Sequence, residues 1–144
     1  MGTRLLCRYG EVPEDSADIR ISVFVREQHF ENEFDETDKI STHYVLYKQD
    51  MPVATLRSYL LTEDDGLCIG RVSVVKEFRG RGIGKEIMEK AEKELVKQGM
   101  SGKTVWVHSQ CTAAGFYEKL GYEASGNIDD DEGVPHVWMK KILI

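Results

Sequence analysis

Seven residues near the middle of the chain, residues 79–85, have the composition of an anion-binding loop. They read Arg-Gly-Arg-Gly-Ile-Gly-Lys, follow the β-branched run at residues 71–75, and lead into an amphipathic helix predicted to begin at about Ile83. Glycines let backbone amides approach a phosphate closely, and the first amides of a helix have no internal partner. The helix dipole adds positive potential, as do three basic side chains, Arg79, Arg81 and Lys85. We therefore expect a ligand with a pyrophosphate at the three glycines, Gly80, Gly82 and Gly84.

The glycine spacing argues against two other phosphate-binding loops. A P-loop has four residues between its glycines and then Lys-Ser/Thr. Here Gly80 and Gly84 are separated by three residues, and Glu86 follows Lys85. A dinucleotide-binding fold needs G-x-G-x-x-G beside the first strand of a βαβ unit. The alternative to an anion-binding loop is an ordinary strand-to-helix turn with solvated arginines and no bound ligand.

A second segment, residues 112–122, reads Thr-Ala-Ala-Gly-Phe-Tyr-Glu-Lys-Leu-Gly-Tyr. Together with the earlier Arg79-x-x-Gly82-x-Gly84 pattern, it resembles the GNAT superfamily of N-acetyltransferases. The resemblance implies that the loop amides hold the pyrophosphate of acetyl-CoA as co-substrate. It also implies coenzyme contacts from the backbone of Val72 and Val74 and from Phe116.

Four further segments resemble the ElaA-like branch of that superfamily. They are Val23 to Gln28, Asp35-x-x-Asp38 with His43, Ile69 to Val74, and Asp131 to His136. Members of this branch are mostly small bacterial proteins without an agreed acceptor. The resemblance covers nearly the whole chain.

Composition limits the possible functions. The length of 144 residues predicts one domain spanning residues 1–144, and the net charge of −6 argues against nucleic acid as a partner. No stretch reaches the roughly 20 apolar residues of a membrane span, and the N-terminus does not read as a signal peptide. Three widely spaced cysteines, Cys7, Cys68 and Cys111, favour a reducing, cytoplasmic setting.

The order of elements predicts an α/β (α+β) fold with a mixed, mostly antiparallel sheet and helices on both faces. Periodicity predicts strands over residues 3–9, 44–48, 53–61, 67–75, 104–108, 122–124 and 137–143, with turns at 50–52 and at Asp65-Gly66. It predicts helices after Pro13, from Ile83 to about Gly99, and from a Thr112 cap to Gly121. The β-branched segment 19–25 is assigned to helix through the resemblance alone. The resemblance also implies that the strands flanking the coenzyme helix splay apart around the coenzyme.

Acetyl transfer to an amine needs a proton donor for the departing thiolate and a base for the amine. Tyr117 is the predicted acid, because a phenol is protonated at neutral pH; the alternative is a tyrosine that only packs. Glu27 and His136 are the candidate bases. Alternatively, Glu27 pairs with Arg71 and His136 only marks the entry to a strand. Backbone amides at the end of the 71–75 strand are candidate oxyanion donors.

Several residues have less specific predicted roles. Asp38 and Glu132 are expected to attract a cationic acceptor, although acidic loops are more often only solvated. Arg71 contacts either the substrate or the structure. Cys111 raises the alternative of a covalent acetyl intermediate, but no basic neighbour in sequence would activate it. Four residues are expected in the core, Cys7, Cys68, Trp106 and Trp138. The histidines, His29, His43 and His108 among them, lack metal-ligand spacing, so no metal is predicted.

These observations predict an acetyl-CoA-dependent N-acetyltransferase that acts by direct transfer on a primary amine of a small molecule or a protein. One alternative is an acyl-CoA-binding sensor or partner-binding module without turnover. Another is an acyltransferase like the acyl-homoserine-lactone synthases, which the segment from Val23 to Asp38 faintly resembles. An edge strand near the C-terminus makes a homodimer possible.

Overall fold

Seven strands form one sheet in the computed structural model, which describes residues 2–28, 34–61 and 66–144. The strands are β1 (Thr3–Tyr9), β2 (Thr42–Lys48), β3 (Met51–Leu60), β4 (Leu67–Val74), β5 (Thr104–Gln110), β6 (Glu123–Asp131) and β7 (Val134–Ile142). Their order is β1-β2-β3-β4-β5-β7-β6, and only β4 and β5 pair in parallel. The predicted mixed, mostly antiparallel sheet is confirmed.

Helical segments connect the strands. They are α1 (Glu14–Arg20), a π-helical segment (Ile21–Glu27), a 3₁₀ helix (Glu36–Ile40), α2 (Ile83–Lys97) and α3 (Ala114–Lys119). The helical assignment of segment 19–25 is therefore correct despite its β-branched residues. π-Helical turns are rare and frequently lie at functional sites. In the part of the chain that the structure describes, no helix combines the length and apolar composition needed to cross a membrane.

The helices cover opposite faces of the sheet. On one face, five residues of α2 enter the main apolar core, as their spacing predicts: Ile83, Ile87, Met88, Ala91 and Leu95. On the other face, α1 contacts the side chains that alternate along β3 with those facing α2. Ser16 hydrogen-bonds Thr55, with 2.7 Å between the two hydroxyl oxygens. Successive side chains of a strand point to opposite faces. α1 and α2 therefore lie on opposite sides of β2 and β3.

Two local predictions were wrong. The turn before β3 is formed by Gln49 and Asp50, both with positive φ (52° and 66°), and not by residues 50–52. Lys48 pairs with Met51, so the two residues form the short hairpin loop that suits strand twist. Thr112 does not cap α3, because a 3₁₀ turn over Cys111–Ala113 comes first. The second predicted turn was Asp65-Gly66, and Asp65 lies outside the described residues.

The predicted core residues also need correction. Cys68 is buried, but Cys7 is exposed on the edge strand β1. Trp106 and Trp138 are only half-buried and pack edge to face, with ring centroids 6.4 Å apart. They lie on adjacent strands of the sheet, and Trp138 faces a cavity described below.

Candidate active site

The gap between β4 and β5 defines the site. The two strands pair only from Leu67–Val105 to Ile69–Val107, although both continue beyond these pairs. Beyond Ile69, the edge of β4 that faces β5 therefore has no ladder partner among the described residues, and its backbone groups remain to be satisfied by other means. This is the splaying of strands that the family resemblance implies.

A pocket of about 350 Å³ lies at the loop between β4 and α2. Gly80 and Gly82 have φ of 77° and 76°, a region that side chains with a Cβ disfavour. Gly82 is the N-cap of α2, and no side chain caps that helix in the described structure, so its first amides are available to an anion. At Gly84, a Cβ would approach the Phe116 ring to 3.1 Å. The glycines thus open the loop and allow α3 to pack against it.

The predicted coenzyme residues are largely brought together here. The pocket is lined by Val74, Phe116 and most of the loop: Arg79, Gly80, Gly82, Ile83, Gly84 and Lys85. Arg81 is not in the lining, and its guanidinium lies over the Phe78 ring, 5.4 Å from the centroid. Lys119 lines the pocket and was missed. Its position three residues after Phe116, on the same helical face, was the signal that could have found it.

Glu27 lies beside this loop, in contact with Arg79. Its two carboxylate oxygens accept hydrogen bonds from Nη1 and Nη2 of Arg79 at 2.8 and 2.9 Å, and Arg79 Nε donates to the Val74 carbonyl at 3.0 Å. The Arg79 hydrogen bonds lower the pKa of Glu27 despite partial burial. Glu27 therefore pairs with Arg79 and not with Arg71, and it ties the π-helical segment to the glycine-rich loop.

A β-bulge shapes β4 where it leaves β5. Thr55 pairs with Ser73 and Arg57 pairs with Gly70, so β4 has one more residue than β3 in this interval. Arg71 lies within it and has φ of 51°. A bulge bends its strand and redirects side chains and amides. This change of direction lies at Val72 and precedes the predicted oxyanion donors, which are at the end of the 71–75 segment.

A second cavity, of about 560 Å³, lies on the far side of the gap. Several predicted site residues line it: Arg71, Val72, Tyr117, Glu132 and His136. Val72 and Val74 line different cavities, as do the neighbours Phe116 and Tyr117. The two cavities therefore meet the same stretch of β4 and the same turn of α3.

Tyr117 is 8% exposed, and its position depends on the end of α3. Gly121 has φ of 96°, and the Tyr122 amide donates to the Tyr117 carbonyl at 3.1 Å, which closes the helix in a Schellman motif. The Phe116 and Tyr122 rings pack edge-on against Tyr117, with centroids 4.9 and 5.9 Å away. Burial raises the pKa of Tyr117, so the phenol keeps its proton at neutral pH.

His136 is 5% exposed and lines the same cavity. Its Nδ1 lies 2.8 Å from the Val134 carbonyl oxygen, which can only accept, so Nδ1 carries a hydrogen, and in the neutral imidazole the lone pair is on Nε2. His108 packs beside it with ring centroids 4.7 Å apart, and His108 Nε2 bonds Asp129 at 2.7 Å. His108 was considered only as a metal ligand. Its alternation with Trp106 along β5 was the signal for this face.

Asp38 lies in a buried ionic cluster. Its Oδ1 accepts hydrogen bonds from Arg20 at 2.9 Å and from Arg57 at 2.8 Å, and Asp35 also pairs with Arg57. Burial opposes the charge of Asp38, but the arginine hydrogen bonds outweigh it and lower the pKa to about 2. Arg71 Nη2 donates to Asp35 at 3.2 Å. Asp38 is thus bound by arginines, while Asp35, Arg57 and Arg71 form one wall of the cavity.

Cys111 is half-buried and packs against the apolar core. It is not one of the residues that line the larger cavity. Among the described residues, no three His, Cys, Asp or Glu side chains are grouped to hold a metal ion.

Comparison with known proteins places this architecture in a family. Residues 12–143 match the model of the acetyltransferase (GNAT) domain. The chain is 36% identical to the uncharacterized protein YyaT of Bacillus subtilis over 128 residues, covering 85% of this chain and 84% of that protein. It is 30% identical to ElaA of Escherichia coli over 132 residues, covering 88% and 84%.

Solved structures of related proteins have the same fold as this chain. A Lactobacillus plantarum protein assigned as an N-acetyltransferase superimposes over 100% of both chains, with a TM-score of 0.87 and 30% identity. The family match spans the loop, the splayed strands and the segment that carries Tyr117. The chain belongs to the GNAT acetyltransferase family, with relatives that include ElaA.

Proposed function

We propose that this protein transfers the acetyl group of acetyl-CoA directly to a primary amine in a ternary complex. The observation that carries the proposal is the shared boundary of the two cavities, where Val72 and Tyr117 line one cavity and Val74 and Phe116 line the other. An acyl-CoA held at the loop, with its arm along β4, would bring its thioester beside Tyr117.

The chemistry follows from the groups at that boundary. The neutral amine attacks the thioester carbonyl, forming the C–N bond, and backbone amides at the end of the 71–75 strand, beyond the β4 bulge, stabilise the oxyanion. His136 Nε2 takes the amine proton, and the C–S bond breaks as Tyr117 gives its proton to the sulfur. Glu27 is assigned to positioning Arg79 and the loop, because both of its oxygens are already bound.

The test joins binding to turnover. Calorimetry should detect acetyl-CoA binding, and a free-thiol assay on the same sample should detect thiol release only when an amine is present. Binding without release from any amine would favour a sensor that lacks turnover. Failure to bind acetyl-CoA would overturn the assignment of residues 79–85.

A further inference from the structure

We propose that the acceptor is a diamine or polyamine, whose reacting amine meets His136 in its neutral form while a second amino group, as an ammonium, pairs with Asp131. This inference rests on the proposed function and names the class of amine. Its basis is the hairpin formed by β6 and β7, which supplies both residues to the larger cavity.

Strand register places the two residues on one face. Asp129 pairs with His136, and Asp131 pairs with Val134, two residues nearer the hairpin turn. Side chains two residues apart on a strand share a face, so Asp131 lies diagonally from His136. Such diagonal neighbours are separated by about 7–8 Å. An acceptor that spans both residues therefore needs two amino groups separated by a short chain.

His136 supplies the first contact. More than nine-tenths of the residue is buried, and Nδ1 is fixed by the Val134 carbonyl. Its Nε2 has no hydrogen-bond partner among the described residues, although the side chain lines the cavity. Nε2 is not one of the buried side-chain atoms that lack a partner, so it is accessible from the cavity, where its lone pair can accept a hydrogen bond. An amine N–H can donate that hydrogen bond.

Asp131 supplies the second contact, because the other carboxylates of this face are occupied. Asp35 accepts from Arg57 and Arg71, and Asp129 is bound to His108. Asp131 is half-buried and has no ion pair with any residue that the structure describes. The negative potential of a chain with net charge −6 also favours the approach of cations.

The hairpin contains a matched control. Asp130 precedes Asp131 but is exposed, and its Oδ2 accepts the Gly133 amide at 2.9 Å within the turn. Alternation directs it to the opposite face of β6. Asp130→Asn removes the same charge from the same hairpin without touching the cavity.

The experiment compares diaminobutane with butylamine at saturating acetyl-CoA, using thiol release as readout. The wild-type enzyme should show a KM for the diamine about tenfold lower than for the monoamine, as expected of one additional partly desolvated ion pair. Asp131→Asn should reduce this preference to about twofold or less. Asp130→Asn should retain it.

Equal KM values for the two amines in the wild type would overturn the inference, and so would an unchanged preference in Asp131→Asn. Thiol release from butylamine without a diamine preference would leave the proposed function standing. If no amine releases thiol, diaminobutane is titrated calorimetrically into the complex with coenzyme A. Binding that Asp131→Asn abolishes would then support the inference while the proposed function fails, and no binding would overturn both.

Discussion

The two cavities beside the gap between β4 and β5 are built in different ways. The loop pocket is made largely by backbone from one continuous segment, with glycines at positive φ and the uncapped start of α2. The larger cavity is made by side chains from the π-helical segment, from β3 to β5, from α3 and from the β6–β7 hairpin. The first design suits a constant anionic group, whereas the second lets the acceptor change while the fold is kept.

The cavities also differ in how their charges are used. At the larger cavity, Arg57 and Arg71 bind Asp35, and the lining residue His108 is bound to Asp129. At the loop, Lys85 and Lys119 line the pocket as cations. Substitutions in the loop should therefore act on coenzyme affinity, and substitutions around the larger cavity should act on turnover, acceptor choice or stability.

The largest expected effect is on turnover alone. Tyr117→Phe removes the proton donor but keeps the ring between Phe116 and Tyr122. Loss of a general acid should lower kcat by about 100-fold or more, while the Kd for acetyl-CoA stays nearly unchanged. Steady-state kinetics and calorimetry measure the two quantities. Tyr59→Phe, which removes another hydroxyl from the same cavity, is the control, and equal losses in both variants would contradict the assignment.

The second effect is on stability. Asp38→Asn should lower the free energy of unfolding by about 3 kcal/mol, because it leaves two buried guanidinium groups without their shared carboxylate. Arg20 is 1% exposed and Arg57 is 5% exposed, so water cannot replace the lost charge. Urea denaturation at neutral pH measures the difference. Asp18→Asn, at an exposed position of α1, should change it by less than about 0.5 kcal/mol.

The same cluster predicts a pH dependence. The pKa of Asp38 is lowered to about 2 in the folded protein, against about 3.9 in an unfolded chain. A lowered pKa stabilises the fold above the unfolded value, and this contribution is lost as the pH falls from about 4 towards 2. The stability gap between the wild type and Asp38→Asn should therefore narrow over that range. A gap that stays constant between pH 5 and pH 2.5 would show that the cluster does not depend on this charge.

The third effect is on coenzyme affinity. Gly82→Ala forces a Cβ into the left-handed region at φ of 76°, although no atom lies within 4 Å of it. That conformation costs about 1–2 kcal/mol, and relaxation of the loop should weaken acetyl-CoA binding about tenfold. Gly99→Ala imposes the same strain at the other end of α2, at φ of 89° and also in open space. It should lower stability without changing the calorimetric Kd, and similar Kd changes in both variants would refute the loop assignment.

Most of the loop residues that line the smaller pocket could be chosen from the sequence, because one segment contains both its glycines and its charges; their role in binding coenzyme stays a prediction. The sequence also predicted the α2 face, since burial in that helix follows the 3.6-residue period. It did not predict the partner of Glu27, which is Arg79, because an ion pair between segments 52 residues apart has no local pattern. The predicted burial of Trp138 was too high for a related reason. The sequence of a single strand does not show whether a helix covers the face on which the side chain lies.

The smallest expected effect separates positioning from catalysis at Glu27. Its pair with Arg79 is partly exposed, with side-chain exposures of 31% and 41%, and such pairs contribute less than about 1 kcal/mol. Glu27→Gln keeps the shape of the side chain and weakens its hold on Arg79. We therefore expect acetyl-CoA affinity to fall about two- to threefold, with kcat nearly unchanged.

A catalytic base would give the opposite pattern, a loss of about 100-fold in kcat with an unchanged Kd. Salt adds a second criterion, because screening weakens a partly exposed ion pair. The difference in Kd between the wild type and Glu27→Gln should therefore shrink as ionic strength rises, whereas the removal of a base would cost the same at any salt concentration. Glu36→Gln, which loses an exposed pair with Lys39, is the control for nonspecific charge effects. If Glu27→Gln behaves like this control in every measurement, the contact between Glu27 and the loop has no role in binding, and Arg79 must be positioned by its bond to the Val74 carbonyl alone.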